Sequence, residues 1–469
     1  MRGENSKSRE LSVAYTSKPL SGWGGTHAFF RFLDKVGWDE FLTAGLPDGR
    51  TSPNQTRPLD ITKSLLTTVL LDGRRFAHVD RIRQDATLRR IVGAKRLACA
   101  DAVRRYFSGF TQGQSEQLHD ATTQLSATLL WGQRSRDIVD LDSTVLDRFG
   151  DQEGSSRGYQ PVHHGRKSHH PLLAMVAGGK QIVHSWLRAG SASPARGCRQ
   201  FFQELQAHLP EGFRIELLRA DSGFHSVEFF EDLEAAGVPY LIAMKMSRSL
   251  IRLCAEVTSW TRLNSFQEIG EFRYQPNHWS RERRIIVVRR RVPSTTIPEQ
   301  MELTHVDAFE YHALVTNDTA MSLTAARTLY NGRGDCENRI KELKHDFNIR
   351  GFCLQSFPGT EATFRLICFL HNLVAAFREQ ILHDTHTTLA TIRSAVFVVG
   401  AQLGSSGRNH ILRLGLSGRW REEYDAMLRR VEAASLSTAA QLHKYLDSEA
   451  YTPPSPWKLR KPTLAFINR

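Results

Sequence analysis

The acidic residues best placed to hold a metal ion occur at three separate points in the sequence. Asp142 ends a short apolar run in the segment DLDST, and Asp221 follows another such run in RADSGF. Acids at strand ends face the mouth of an open α/β sheet, where ligands bind, although an aspartate there is more often a turn former or a helix cap. Glu337 belongs to a third segment, YNGRGDCENRIKELK. Three carboxylates brought together repel one another unless cations intervene, and Mg²⁺ prefers oxygen ligands.

The third segment places cations at helical spacing around its glutamate. The pattern Tyr-x2-Arg-x3-Glu-x6-Lys is filled by Tyr330, Arg333, Glu337 and Lys344. At about 100° per residue, Tyr330 and Lys344 each lie about 20° from Glu337, and Arg333 lies about 40° away. Cations beside a metal-binding acid suit a phosphodiester substrate, because they clamp phosphate oxygens. The alternative is a solvated helix face with ion pairs four residues apart, and two glycines weaken the helix before Glu337.

The elements that must position these acids follow an α/β pattern. From residue 137 the order is three strands, helix, strand, helix, strand, which indicates a mixed sheet. Alternation from residue 248 to 318 predicts a β-rich insertion, and helical periodicity then returns. The expected organisation is a helical DNA-binding domain at 1–130, an α/β catalytic domain in two segments at 131–247 and 319–385, the insertion at 248–318, and a helical C-terminal region at 386–469.

Charge indicates an acidic partner. The 469 residues carry a formal net charge of +13, and nucleic acid is the commonest partner of so basic a protein. Between residues 74 and 105 there are ten Arg or Lys and three Asp. Arg104 and Arg105 lie there in an expected amphipathic helix and are candidate DNA contacts, the alternative being a solvated face of a helical packing domain. The insertion is basic too, and alternate arginines of one strand could track phosphates or face solvent; they are Arg281, Arg283, Arg284, Arg289, Arg290 and Arg291.

The cysteine, histidine and apolar patterns argue against a disulfide-linked, zinc-binding, secreted or membrane protein. The six cysteines contain no Cys-x-x-Cys pair, which suits a reducing cytosol. A zinc site is conceivable at His163, His164, His169 and His170, but adjacent histidines point apart, so a basic loop near DNA is preferred. The first thirty residues lack a signal-peptide core, and the longest apolar region, 366–377, is too short to span a bilayer. We therefore expect no membrane partner and a cytoplasmic, nucleoid-associated protein.

Together the three acidic motifs resemble those of the DDE transposases of bacterial insertion sequences, in the group with the Tyr-Arg-Glu-Lys signature. DLDST resembles the family's first catalytic aspartate motif and RADSGF its second. Residues 158–173 (GYQPVHHGRKSHHPLL) resemble the stretch that follows the first aspartate in one branch. The order of the motifs, with a β-rich insertion before the glutamate, agrees as well. The similarity covers about residues 135–380 well and the N-terminal region loosely.

The resemblance implies a ribonuclease-H-like catalytic domain interrupted by the insertion. It implies that Asp142, Asp221 and Glu337 are catalytic and hold two Mg²⁺ ions, for which Mn²⁺ can substitute. Asp140 competes for the first position, but the Ser-Thr after Asp142 matches the family motif.

The same resemblance implies DNA contacts and partners. Tyr330, Arg333 and Lys344 carry over as contacts to the DNA backbone at the element end. In relatives that form hairpins an aromatic residue of the insertion holds a flipped base, and Trp279 is a candidate for this stacking, although a core or rim position suits it equally. The implied partners are double-stranded DNA with terminal inverted repeats, target DNA and a second subunit in a homodimeric synaptic complex.

The implied function is metal-dependent strand cleavage and strand transfer at the ends of an insertion sequence, in cut-and-paste movement. One alternative is another ribonuclease-H-like DNA nuclease, such as a junction-cleaving enzyme. The other is a transposase-derived DNA-binding regulator without catalysis. Dependence on inverted-repeat ends distinguishes a transposase from the junction nuclease. Mg²⁺-dependent cleavage distinguishes either enzyme from the regulator without catalysis.

Overall fold

The structure, a computed structural model, describes residues 13–49, 51–131, 134–158, 160, 163–291 and 309–434. Up to residue 131 the chain is mostly helical, as the sequence predicts. This part contains strand β1 (Leu20–Ser21) and helices α1 (Thr26–Lys35), α2 (Trp38–Gly45), α3 (Pro58–Leu70), α4 (Val79–Ile82), α5 (Ala86–Ile91), α6 (Ala100–Ser108) and α7 (Gln112–Trp131). Two of these helices, α3 and α5, begin at residues that favour a helix start. Pro58 opens α3, where its missing N–H costs no hydrogen bond, and Asp85 caps α5 by accepting from the Leu88 N–H at 2.7 Å.

A nine-stranded mixed sheet follows. The strands from residue 136 to 316 are β2 (Arg136–Ser143), β3 (Leu146–Asp147), β4 (Ser156–Arg157), β5 (Lys167–His169), β6 (Leu172–Val176), β7 (Ile182–Trp186), β8 (Arg214–Ala220), β9 (Tyr240–Ala243), β10 (Thr261–Arg262), β11 (Gln267–Tyr274), β12 (Arg283–Arg291) and β13 (Phe309–Thr316). The order in the large sheet is β10-β11-β12-β13-β9-β8-β2-β6-β7, while β3, β5 and β4 form a small sheet. Strands β2, β8 and β9 are parallel to one another, and the other neighbours are antiparallel. The mixed α/β class predicted from the sequence is confirmed.

Helices cover both faces of this sheet. They are α8 (Cys198–His208), α9 (Val227–Ala235), α10 (Arg248–Ala255), α11 (Leu323–Asn331), α12 (Gly334–His345) and α13 (Phe357–Phe377). Side chains alternate across a strand, and β6 shows the consequence. Leu172 and Ala174 pack in the core that contains Phe201 of α8, whereas Leu173 and Met175 pack in the core of α13. A strand buried on both faces reads as an unbroken apolar run, as LLAMV does.

The predicted insertion is β-rich and extends the central sheet. Strand β13 pairs with β9 through Leu314 and Ala243, and β12 and β11 follow outward. The expected separate unit at 248–318 therefore shares its backbone hydrogen bonds with the catalytic segment. Residues 292–308 of this prediction lie outside the described residues.

The N-terminal helices share their hydrophobic core with α13. The rings of Phe29 and Phe32 lie 5.3 and 5.6 Å from that of Phe377, centroid to centroid, and the ring of Phe76 lies 5.3 Å from that of Phe352. The sequence predicted a helical domain at 1–130. The structure shows helices there, but they pack on residues more than 200 positions away rather than on one another alone.

The expected helical C-terminal region also contains two strands in its described part. After α14 (Leu389–Ile392) come a hairpin of β14 (Ala401–Ser406) and β15 (Asn409–Leu414), and then α15 (Gly418–Ala433). Two short π-helical segments, Arg378–Leu382 and Arg393–Phe397, precede the hairpin. Gly407 turns the hairpin with φ of 60°, and β14 pairs with β1. Residues 435–469 lie outside the described residues. None of the helices described combines the length and apolarity needed to cross a bilayer.

Candidate active site

Asp142 and Asp221 leave neighbouring strands at the same level. Strands β2 and β8 are parallel, and Leu141 pairs with Ala220, so the next residue of each chain segment is an aspartate. Both acids therefore emerge at the carboxyl edge of the sheet, where open α/β sheets bind ligands. Asp142 Oδ1 accepts from the Ser143 N–H at 2.8 Å. Asp221 Oδ1 accepts from the Gly223 N–H at 2.9 Å and so caps a short 3₁₀ turn, Ser222–Phe224.

Arg333 joins Glu337 to this edge. Its Nη2 lies 3.1 Å from Asp142 Oδ2, and its Nη1 donates to Glu337 Oε1 at 2.8 Å. The side chains of Arg333 and Asp142 are only 9% and 10% exposed, whereas that of Glu337 is 52% exposed. The helical ion pair considered as an alternative is thus present, and the same guanidinium also reaches the strand. One cation lies between two of the three acids.

The signature residues do not lie on one continuous helix. Tyr330 is in the last turn of α11, whereas Glu337 is in the first turn of α12. Gly332 lies between them and touches the sheet, because a Cβ added there would lie 2.7 Å from Nη1 of Arg219. The angles expected for a single helix therefore do not extend unchanged to Tyr330, although Gly332 and Arg333 keep right-handed helical backbone angles. From this position the Arg333 side chain reaches Asp142.

The pKa values report that these groups act on one another. Burial raises the pKa of Asp142 to about 6 against the opposing charge of Arg333, and Asp221 and Glu337 add to the rise. Burial likewise raises the pKa of Tyr330, Arg333 acts against that rise, and the three acids contribute to it.

Lys344 completes this set of interacting groups. Burial lowers its pKa to about 8, with Arg350 adding to the fall and Asp142 opposing it. Lys344 thus lies within electrostatic reach of Asp142.

Asp140, the other candidate for the first catalytic aspartate, forms an ion pair with Arg219. Arg219 donates from Nε and Nη2 to its two carboxylate oxygens at 2.6 and 2.7 Å, and both side chains are buried. The Nη1 of Arg219 donates to the Leu329 carbonyl at the end of α11. The Asp140–Arg219 pair therefore anchors α11 to the sheet, and Asp142 remains the acid that faces Arg333.

A family model described as transposase DDE domain group 1 matches residues 4–436 of the chain. The chain belongs to this family of DDE transposases. No curated protein matches it. It is similar to a solved structure titled as the piggyBac transposase synaptic complex with hairpin DNA, with 10% sequence identity and a TM-score of 0.42; the match covers 93% of this chain and 86% of that one. The family resemblance found in the sequence is confirmed.

Trp279 of this transposase lies in the core. It is 4% exposed, and its ring centroid lies 5.4 Å from that of Tyr274 and 6.0 Å from that of Phe230. The guanidinium of Arg283 lies 5.1 Å from the same ring. Trp279 thus occupies the core position that was weighed against stacking on a DNA base, and the stacking stays a prediction.

The arginines of the insertion are largely neutralised by acids. Arg283 donates to Glu234 at 2.7 Å and Arg289 to Glu268 at 2.7 Å. Two other arginines of β12 pair with acids of the neighbouring strands, Arg284 with Glu271 of β11 and Arg290 with Glu310 of β13. The charge of these four arginines is therefore compensated in part by the transposase itself, and their contact with phosphates stays a prediction. By contrast, Arg104 and Arg105 are exposed on α6, with Arg104 paired to Asp101 at 2.9 Å.

The four histidines of the basic loop have separate partners. His163 Nδ1 lies 3.2 Å from Asp147, His169 Nδ1 accepts from Arg148 at 2.8 Å, and His170 Nδ1 lies 2.6 Å from the Ala192 carbonyl. His164 is exposed. These rings do not converge on one point, so the zinc alternative has no support there.

A different group, formed by His119, His184 and His208, does converge, and the sequence analysis missed it. The three are separated by 65 and 24 residues, and only their packing brings them together.

Proposed function

We propose that this transposase cleaves DNA at the ends of an insertion sequence and transfers the freed strands to a target, in cut-and-paste movement. The observation that supports this most strongly is the Arg333 side chain, which pairs with both Asp142 and Glu337 beside Asp221. Asp142 and Asp221 follow the paired residues of β2 and β8, and Arg333 links Asp142 to Glu337 of α12, which supports a common site. We propose that these elements form the ribonuclease-H-like catalytic domain.

The donor set of this site fits a divalent metal. Three carboxylates offer only hard oxygen ligands, as Mg²⁺ and Mn²⁺ prefer, and Asp142 is ionised above its pKa of about 6. Asp142, Asp221 and Glu337 would hold two Mg²⁺ ions, with Mn²⁺ as a substitute. When bound, the ions activate the attacking oxygen and stabilise the leaving oxygen of an in-line displacement at phosphorus.

The residues of the chain then position the DNA. In the first step water attacks a phosphodiester and the P–O3′ bond breaks, which leaves a 3′ hydroxyl. In the second step that hydroxyl attacks a phosphodiester of the target, a new P–O3′ bond forms, and the target's own P–O3′ bond breaks and releases a 3′ hydroxyl of the target strand. Arg333 and Lys344 lie beside the acids and would hold phosphate oxygens, with the Tyr330 hydroxyl as a further donor.

The remaining partners follow from charge and symmetry. The net charge of +13 and the exposed Arg104 and Arg105 support binding of double-stranded DNA with terminal inverted repeats. Two ends must be cut in concert, and a closed two-fold pairing of subunits is the simplest assembly that does so. We propose a homodimer in the synaptic complex. The mass of the complex with end DNA measures this, and one subunit per two ends would contradict it.

The Glu337→Gln variant tests the catalytic assignment. The amide keeps the size of the side chain and removes the charge that a metal needs, so we expect cleavage of a labelled element end in Mg²⁺ to fall at least about 100-fold. Binding to the same end should stay within about twofold of wild type. Glu422→Gln, an exposed glutamate of α15, is the matched control and should cleave normally. Wild-type cleavage by Glu337→Gln would remove this glutamate from the site.

Two further arms of the same assay address the alternative functions. Cleavage of branched junctions without inverted-repeat ends would favour the junction nuclease. End binding with no Mg²⁺-dependent cleavage by the wild type would favour the regulator.

A further inference from the structure

Three histidines from three elements meet outside the acidic site. His119 lies on α7, His184 on β7 and His208 at the end of α8. His119 Nε2 lies 3.2 Å from His184 Nδ1, and His208 Nδ1 lies 3.1 Å from the same atom. One nitrogen from each ring falls within a group whose members are all less than 4.8 Å apart. His119 and His184 are buried, and the side chain of His208 is 20% exposed.

The outer nitrogen of each ring faces an oxygen. Glu204 Oε2 lies 3.3 Å from His184 Nε2, and Asp120 Oδ1 lies 3.2 Å from His208 Nε2. Thr123 Oγ1 lies 3.5 Å from His119 Nδ1. A neutral imidazole has a single N–H, and an ionised carboxylate can only accept. In His208 the proton therefore belongs on Nε2, which is within hydrogen-bond distance of Asp120. In His184 the charge of Glu204 beside Nε2 favours the proton on that nitrogen as well, although Nε2 forms no hydrogen bond.

This arrangement turns lone pairs toward one another. With their outer nitrogens protonated, the Nδ1 atoms of His184 and His208 are bare acceptors 3.1 Å apart. Such a contact is repulsive unless a proton or a metal ion lies between the rings.

A zinc ion meets the requirements of this geometry. Zn²⁺ binds imidazole nitrogen at about 2.0–2.1 Å, so two ligands of a tetrahedral site lie about 3.3 Å apart. The observed separations of 3.1 and 3.2 Å are close to that value. Carboxylates behind the histidines are the usual partners of zinc-binding imidazoles, and here they are Asp120 and Glu204. Glu204 is itself oriented by the Trp186 indole N–H, which donates to it at 2.7 Å.

We propose that His119, His184 and His208 bind one Zn²⁺ ion, separate from the carboxylate site of the transposase. The charges of the ion are balanced by Asp120 and Glu204. The nearby cation Arg365 is paired with Glu361 at 3.1 Å, which reduces its repulsion of the ion.

In this arrangement the zinc links three elements of the fold. It ties α7, the last helix before the sheet, to the edge strand β7 and to α8. Three neutral imidazoles leave a fourth position for water.

Metal analysis of the untagged full-length protein tests the proposal. The protein is stripped with a chelator, equilibrated with Zn²⁺ in excess Mg²⁺, desalted and analysed by mass spectrometry. We expect one zinc per chain in the wild type and loss of that zinc in His208→Gln. His410→Gln, at an exposed histidine of β15, and Asp142→Asn should both retain it. Retention in Asp142→Asn distinguishes the site from the carboxylate site, so the test does not depend on the catalytic proposal.

Two more measurements test the proposal even if the His208→Gln variant loses zinc because it is misfolded. Asp120→Asn keeps all three ligands and should weaken zinc binding about 10- to 100-fold, since it removes only the carboxylate behind His208. Co²⁺ added to the stripped wild type should give the visible bands of tetrahedral cobalt, and His208→Gln should not. Wild type without zinc, full retention by His208→Gln, unchanged affinity in Asp120→Asn, or loss in Asp142→Asn would each overturn the proposal.

Discussion

At the scale of single residues, the charge of Asp142 serves the proposed metal site but lowers the stability of the folded chain. Its pKa of about 6 in the folded chain exceeds the ordinary value of 3.8, so the folded state binds the proton more tightly. A raised pKa means that stability falls as pH rises from about 4 to about 6. The ionised carboxylate at neutral pH therefore costs stability in the absence of metal. Its neighbour Arg333 has a second partner in Glu337, and removing the Asp142 charge does not strand it.

We expect Asp142→Asn to be more stable than wild type when no metal is bound. At pH 8 the free energy of unfolding should rise by on the order of 2–3 kcal/mol, since about two pKa units separate the folded and unfolded groups. The difference should shrink below pH 6 and vanish near pH 4. Urea unfolding at several pH values in chelator measures it, and cleavage should be lost. A less stable variant at pH 8 would mean that the ion pair with Arg333 outweighs the desolvation of Asp142.

At the scale of elements, Glu342 holds the helix that carries the signature. It is buried on α12, and Arg378 donates to both of its carboxylate oxygens. Arg339 donates to Oε2 at 3.0 Å and the Leu389 N–H to Oε1 at 2.8 Å. Although burial acts to raise it, Arg378 and the other donors hold the pKa of Glu342 below its ordinary value of 4.5. Its contribution to stability is therefore present above pH 4.5 and lost as pH falls through the lower folded pKa.

We expect Glu342→Ala to lower the free energy of unfolding by about 3–5 kcal/mol, because two buried guanidinium groups lose their acid. Helix α12 also carries Glu337 and Lys344, so cleavage should fall more than end binding. Lys341→Ala, an exposed neighbour on the same helix, should change stability by less than about 0.5 kcal/mol. Denaturant unfolding and end cleavage of the three proteins check both statements. Equal stability of Glu342→Ala and wild type would mean that α12 is held by other contacts.

At the scale of the whole molecule, the N-terminal helices depend on distant sequence. Phe29 and Phe32 pack on Phe377, and their core extends to Val431 of α15. We therefore expect a fragment of residues 1–131 to lack a cooperative thermal transition in circular dichroism, while the full chain shows one. A cooperative transition of the fragment would restore the independent domain predicted from the sequence. Recognition of the element end is accordingly best measured in the full chain.

The charge of the whole molecule leads to a test of α6. Each protein cation that neutralises a phosphate contributes about 0.9 to the slope of log K against log salt concentration. We expect the double variant Arg104→Ala, Arg105→Ala to bind end DNA more weakly and to flatten that slope by up to about 2. Arg419→Ala, at an exposed arginine of α15, is the control. A slope equal to that of wild type would place α6 away from the DNA.

The sequence by itself determined the order of the acids, the mixed α/β class and the family. Asp142 and Asp221 each end an apolar run, which is a local signal, and the spacing from Tyr330 to Lys344 lies within fifteen residues. Strand alternation and helical periodicity also depend on near neighbours, so most elements from 136 to 345 were predicted in type. Helix α10 was not, because it lies in the stretch expected to alternate like a strand. Two glycines indicated the break between α11 and α12. Nothing in the sequence indicated that Arg333 would pair with Asp142.

Only the tertiary structure decided which side chains meet across the fold. Trp279 is buried because it packs against Phe230 and Tyr274, which belong to other elements. The arginines of β12 are neutralised by acids on strands and helices that the sequence does not mark as neighbours. The convergence of His119, His184 and His208 likewise depends on how α7 and α8 pack on β7. Periodicity reports which face of an element is apolar, but strand register and helix packing set the distances between residues far apart in the chain.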